Sequence, residues 1–166
     1  MPGGKNVELL GANREQVRVV GTDIKTSLTL DPAVQRKVTD SLRSVTTAAP
    51  RAPDRVFLNL ENVRGANDAT AFHVYIDPPA GDPAQHPDHM AGSIALFGVR
   101  KATLADGEHA GDGLTFVLDI THVIDRLHLA GALNSGTLSV VLVPVRPVPE
   151  SAHISIGRIS VYREGA

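Results

Sequence analysis

The sequence predicts an all-β chain, an antiparallel β-sandwich of immunoglobulin-, cupredoxin- or jelly-roll-like form, with about seven to nine strands and one or two short helices. Three observations carry this expectation. Apolar and polar residues alternate at period two in short runs. Clusters of Gly, Pro, Asn and Asp separate the runs, and helical periodicity is confined to two brief stretches.

Taken in chain order, "QVRVVG" reads as a strand. "IKTSLTL" follows, with Ile24, Leu28 and Leu30 on one parity against Lys25, Ser27 and Thr29. "LDPAVQRKVTDSL" is helical: Asp31 suits the N-cap, Pro32 the first helical position, and Val34, Val38 and Leu42 share a stripe. "RVFLNLENV" sets Val56, Leu58 and Leu60 on one side, and "AFHVYID" does the same with Phe72, Val74 and Ile76. "HMAGSIALFG" is a further strand; "LTFVLDIT" aligns Leu114, Phe116, Leu118 and Ile120. "THVIDRLHL" reads as a short helix capped by Thr121, with Val123, Ile124 and Leu127 turned to the sheet. "TLSVVLV" then aligns Leu138, Val140 and Leu142. In the final strand the parity of Ile154 and Ile156 gives way to that of Ile159 and Val161, which predicts a bulge at Gly157. "TTAAPRAPD", residues 46–54, reads as a linker. It divides an N-terminal arm and linker at 1–54, strands plus a short helix packing on the body, from a compact body at 55–163.

Composition limits the chemistry. A chain of 166 residues is expected to form one self-sufficient core. With 16 Lys+Arg against 18 Asp+Glu there is no basic field for phosphates, so nucleic acid is not an expected partner. The absence of Cys excludes disulfides, thiolate zinc sites and iron–sulfur clusters within the sequence. No apolar run reaches the ~18–20 residues of a membrane span, and "MPGGKNVELLG" lacks an apolar signal core. The expectation is therefore no membrane partner, and a cytoplasmic location by default.

Seven histidines invite a metal reading: His73, His86, His89, His109, His122, His128 and His153. No two are four apart, as a helical ligand pair requires. His86 and His89 are close, in "HPDH", where Pro87 opposes regular helix. With Met90 and His73 they are candidates for a weak metal site or a surface that faces a partner, and no residue is assigned as a firm metal ligand. Asp119 and His122 suggest a hydrolytic acid–base pair, but no Gly-x-Ser-x-Gly elbow supplies a nucleophile. Asp119 equally suits the amides at the start of the helix. "GEHAGDG" has no Walker-type Lys and reads as a loop. No catalytic residue is assigned.

The order of segments "RVFLNLENVRG", "AFHVYIDPP", "HMAGSIALFGV", "LDITHVIDRL", "LSVVLVPV" and "ISIGRISVYRE" resembles the C-terminal β-sandwich domain of tyrosinases and polyphenol oxidases, of the Lys-Phe-Asp-Val type. Phe72, Val74 and Tyr75 match its first motif, Gly92 and Ser93 its second, Ile120, Thr121 and Leu127 its third, and Val143 and Pro144 its fourth. Ala71, His73 and Asp77 depart from the signature's Lys, Asp and following Asn, which makes the chain more similar to the bacterial versions. The resemblance implies a non-catalytic accessory domain, excised from or encoded apart from its enzyme. It would shield the dicopper site of a type-3 copper phenol oxidase, or assist its folding and copper loading. It implies no cofactor in this chain and copper in a catalytic partner domain, in cis or in trans. Two alternatives stand beside it: a free-standing β-sandwich module that self-associates as a homo-oligomer, and a hydrolase using Asp119 and His122.

Overall fold

The computed structural model describes residues 6–44, 54–66, 71–104, 111–133 and 135–165. The linker read at 46–54, Asp54 excepted, lies outside these residues, as do His109 and part of "GEHAGDG".

Among the described residues nine strands form: β1 Val7–Ala12, β2 Val17–Val19, β3 Ile24–Leu30, β4 Arg55–Arg64, β5 Ala71–Ile76, β6 Met90–Ala95, β7 Leu114–Asp119, β8 Thr137–Pro144 and β9 Ile154–Glu164. Three helices accompany them: α1 Pro32–Ser44, α2 Val99–Thr103 and α3 Thr121–Leu129. The expected all-β antiparallel architecture is present. Its strands run in one continuous path, β6-β5-β8-β3-β1-β9-β4-β7, with β2 also paired to β9. The two end strands, β6 and β7, approach each other, so the sheet curls into a nearly closed barrel. Gly92 of β6 shows how near they come: a Cβ there would lie 3.1 Å from Leu118 Cδ2 of β7.

Alternation produces this closure because one parity of every strand must leave water. Val56, Leu58, Leu60, Phe72, Val74, Ile76, Leu138, Val140 and Leu142 are all buried, and Leu114, Phe116 and Leu118 pack partly buried against them. The arm's strands are part of the same wall. β3 pairs with β8 along its whole length, and β1 joins β3 to β9. Residues 7–30 therefore lie inside the sheet, hydrogen-bonded between strands of the body.

The α1 stripe is buried as the pattern requires, through Val34, Val38 and Leu42. Asp31 caps the helix: its Oδ1 accepts from the Ala33 amide at 2.9 Å and the Val34 amide at 3.4 Å. Three expectations need correction. A third helix, α2, forms at "VRKAT", too short to show periodicity and opened by Gly98 in the left-handed region at φ 84°. Thr121 is the first residue of α3, not its cap; Ile120 holds that position and Asp119 receives the Thr121 amide at 3.0 Å. The parity change at Gly157 also has a different origin. β4 and β9 keep one register straight through it. The irregularity lies in β4 against β7, between Leu60 and Val63, where Asn62 takes φ 54°. Both strands of the β4–β9 pair change face together, so their ladder survives. Gly157 is needed because a Cβ there would sit 2.8 Å from Asn62 Cβ.

Gly157→Ala is therefore expected to destabilise the fold by about 1–3 kcal/mol in denaturant unfolding. Adding Asn62→Gly, which removes the opposing Cβ and suits the positive φ, recovers part of that loss.

Candidate functional site

One end of the barrel gathers most of the residues singled out from the sequence. β5 ends there, the 77–90 loop leads into β6, β7 runs into α3, and β8 begins. The loop is held at both of its ends. Asp77 sits at φ 43°, and its Oδ1 accepts from the Ser139 amide at 2.6 Å and the Ser139 hydroxyl at 2.9 Å. The Asp77 amide donates back to the Ser139 carbonyl at 2.9 Å. At the far end His89 Nδ1 lies 3.0 Å from the Ile76 carbonyl, which can only accept, so this nitrogen carries the hydrogen. Between them run two 3-10 turns, Pro83–Gln85 and Pro87–His89, with Pro83 buried and Asp82 Oδ1 accepting from the Ala84 amide. Proline fixes φ at four loop positions, 78, 79, 83 and 87, which lowers the entropy lost on ordering.

The histidines separate by role. The His86 and His89 rings meet edge to face with centroids 6.2 Å apart. His89 has committed Nδ1 to the loop closure, leaving Nε2 outward, 4.0 Å from Asp88 Oδ2. Met90 is half-buried and pairs with Tyr75. His73 stands on the outer face of β5 with Nδ1 2.7 Å from the Ser93 hydroxyl, its cross-strand neighbour. Among the described residues no group of three or more His, Cys, Asp or Glu side chains is placed to hold a metal ion. A dicopper centre needs three imidazoles on each metal, and the described side chains do not fit it.

Beside the loop, Arg126 Nη1 of α3 reaches Asp88 Oδ2 at 3.4 Å and bridges to it. The bridge spans a cleft of about 580 Å³ whose walls include His89, Asp125, Arg126 and Leu129. Leu129, at the end of α3, is 73% exposed. The arrangement is a proline-stiffened surface with mixed charge and an apolar edge at Leu129.

The acid–base pair read at Asp119 and His122 is not assembled. Asp119 Oδ1 accepts from both the amide and the hydroxyl of Thr121, and Oδ2 receives Arg55 Nη1 at 2.8 Å. Burial alone would raise this carboxyl's pKa, but the Thr121 and Arg55 bonds outweigh it and hold the group below its ordinary value. A carboxylate so occupied stabilises the start of α3. His122 is exposed on the next turn and shares no hydrogen bond with it.

The motif residues of the resemblance are mostly interior. Phe72, Val74, Tyr75, Ile120 and Leu127 are buried, Pro144 pairs with Phe72, and Gly92 permits the β6–β7 approach. Ser93 binds His73, Thr121 Oγ1 accepts from the Val56 amide, and Val143 stands opposite His73. These positions build the barrel's interior and its strand pairing. One surface feature escapes a reading by parity alone. Phe57 and Val117 are apolar residues on the water-facing parity of β4 and β7, and with Val7 and Tyr162 they line a shallow depression. Their signal was in the sequence, as apolar residues interrupting the polar side of the alternation.

The family described as "Domain of unknown function (DUF7868)" matches residues 6–164. The chain is 26% identical over 110 residues to Tyrosinase HcTyr1 of Hahella sp. (strain CCB-MM4), across 66% of this chain and 23% of that protein. Among solved structures, recombinantly expressed latent aurone synthase (polyphenol oxidase) aligns at TM-score 0.51 and 12% identity, over 90% of this chain and 25% of that one. Latent apple tyrosinase aligns at TM-score 0.50 and 18% identity, over 90% of this chain and 27% of that one. The matched part of these structures is their C-terminal region, as the segment order had implied. At such identities the structural likeness establishes the fold. The chain spans about a quarter of the length of each of these proteins.

Two stability measurements check these assignments. His89→Ala, which breaks the loop closure, is expected to cost about 1 kcal/mol, whereas His86→Ala changes stability by less than ~0.5 kcal/mol. For Asp119, whose folded pKa lies below its unfolded one, the stabilisation is present above about pH 4 and lost as pH falls through the folded value. The advantage of the native chain over Asp119→Asn in thermal unfolding should therefore shrink as pH drops below 4.

Proposed function

The chain belongs to the family described as a domain of unknown function (DUF7868), and on that footing we propose that it serves as the non-catalytic companion of a type-3 copper phenol oxidase. The observation that carries this reading is the proportion of the likeness. Two thirds of this chain matches a bacterial tyrosinase, yet the matched stretch is 23% of that enzyme. The likeness thus falls on one part of an oxidase, with ample length elsewhere for the copper-binding portion. In this reading copper chemistry belongs to the partner.

In this reading the partner is the catalytic portion of the same polypeptide, on the N-terminal side. β1 begins at Val7 opposite Glu164 of β9, and β9 in turn pairs Glu164 with Arg55 at the start of β4. β4's start lies beside Asp119 and α3. Both ends of the described chain thus emerge at the end of the barrel that carries α3 and the 77–90 loop. A catalytic portion joined there meets the proline-stiffened loop first, with His86, His89 and Met90 at its edge and His73 further along the outer face. A rigid surface makes a good cover because little conformational entropy is lost when it docks. Interfaces within one chain commonly bury ~600–1,500 Å² and are partly polar, which holds a cover yet lets it be released. The same contact would support the partner's folding and its copper loading.

Occupation of Asp119 by Thr121 and Arg55 weighs against the hydrolytic alternative. The test is catechol oxidation by the longer polypeptide before and after proteolytic removal of residues 6–164. Removal is expected to raise the rate at least ten-fold; equal rates would overturn the cover. Quinone formation by the isolated chain with two tightly bound coppers would overturn its non-catalytic assignment.

A further inference from the structure

We propose that the outer face of β1, β9, β4 and β7 is the seat of the catalytic portion of the same polypeptide, a second contact beyond the 77–90 loop. The proposal rests on the companion-domain reading above and adds to it a specific surface. Val7, Phe57, Val117 and Tyr162 line a depression of about 370 Å³ on that face, with Asn59 at its floor and Glu164 at its rim. Cross-strand pairing brings them together: Phe57 lies opposite Tyr162, and Asn59 lies opposite Val117. Val7 is 55% and Val117 59% exposed; the residues sharing Val117's face of β7, Thr115 and Asp119, are polar, and Leu9, 41% exposed and opposite Tyr162, continues the apolar face along β1.

Asn59 gives a second and independent sign. Its Oδ1 is shut off from solvent yet meets no hydrogen-bond donor among the described residues. Shielded polar atoms without partners are rare in folded proteins and call for an explanation. A donor arriving with an occupant on this face would supply the missing partner once the Asn59 side chain turned its oxygen outward.

The size of the face selects the occupant. Four strands at ~4.8 Å spacing make a patch about 15 Å across, of the order of 200–300 Å². Free complexes that persist bury ~800 Å² on each partner, so a second copy or a separate protein would not stay bound here. A tethered partner meets a different requirement, because a short connection supplies an effective concentration in the millimolar range. Val7 is both the first strand residue and a wall of the depression, so any polypeptide preceding it enters beside the patch. The occupant is therefore an apolar surface of the preceding catalytic portion, carrying one hydrogen-bond donor for Asn59.

The chain has no cysteine, which makes a thiol scan direct. Val117→Cys is made in the isolated chain and in the longer polypeptide, with Val145→Cys, also 59% exposed but beyond the other end of β8, as the control. Maleimide labelling is followed by peptide mass spectrometry. The expected result is rapid labelling at both positions in the isolated chain, with position 117 slowed at least ten-fold in the longer polypeptide and position 145 unchanged. Equal labelling of position 117 in the two forms overturns the seat. If proteolytic removal of residues 6–164 still raises the oxidation rate in that case, the companion-domain reading stands and the face alone is wrong. If removal leaves the rate unchanged and position 117 is unprotected, both readings fall. As a second readout, Asn59→Leu is expected to leave the isolated chain's thermal midpoint unchanged or raised, while speeding labelling at position 117 in the longer polypeptide. Slower or unchanged labelling there overturns the role given to Asn59.

Discussion

Strand β9 is the constraint on which the rest of the molecule depends. Its eleven residues are shared between β2 and β1 along one edge and β4 along the other. Without it, the β8–β3–β1 side and the β4–β7 side would be two separate pieces of sheet, each with unpaired backbone groups along an edge. Where β1 gives way to β2, the ladder would lapse, and Asn13 fills the gap. Its side-chain Oδ1 accepts from the Ile159 amide at 2.9 Å, and its backbone N–H donates to the Ile159 carbonyl at 3.0 Å. Asn13 thus takes the place of a missing strand residue through its side chain and its backbone together, and Ile154, Ile156, Ile159 and Val161 behind it are buried.

Charge secures the same strand from outside. Arg163 of β9 donates through Nε to the nearly buried Asp54 and through Nη1 to Glu8 of β1, and Lys37 of α1 reaches Glu8 at 2.9 Å. The Asp54 amide, in turn, donates to Ser41 Oγ of α1 at 2.8 Å. The Lys37 hydrogen bond leads the effects that keep the Glu8 carboxyl below its ordinary pKa, against the opposing effect of burial. The chain of four charges joins β1, β9, α1 and the entry to β4. The enclosed Asp54 side chain is paired with the Arg163 guanidinium; removing one partner of such a buried pair typically costs ~3–5 kcal/mol.

The polar residues that looked most chemical are used for holding. Asp77 ties the 77–90 loop to β8, His89 closes it onto Ile76, and Asp119 starts α3. Each is a charge-bearing or ring side chain that finds backbone partners at a place where a strand stops and its amides would otherwise go unpaired. That is why a barrel end rich in Asp and His forms a rigid surface.

Alternation along "RVFLNL", "AFHVYI" and "TLSVVLV" determined the strands and their buried sides, because burial of one parity is a local property repeated at every second residue. Asp31 and Pro32 likewise announced α1, whose capping bonds span three residues. What tertiary structure decided was relational. Whether the strands made two sheets or one depended on β9 finding partners on both edges, which no local pattern states. Gly157 was visible as a break in parity, but its cause was Asn62, ninety-five residues earlier in the chain and directly across the ladder. The roles of Asp119, His89 and Asn59 were also outside the reach of sequence. A titratable side chain is defined by what stands within about 3 Å of it, and those neighbours come from strands that the chain brings together only when it closes.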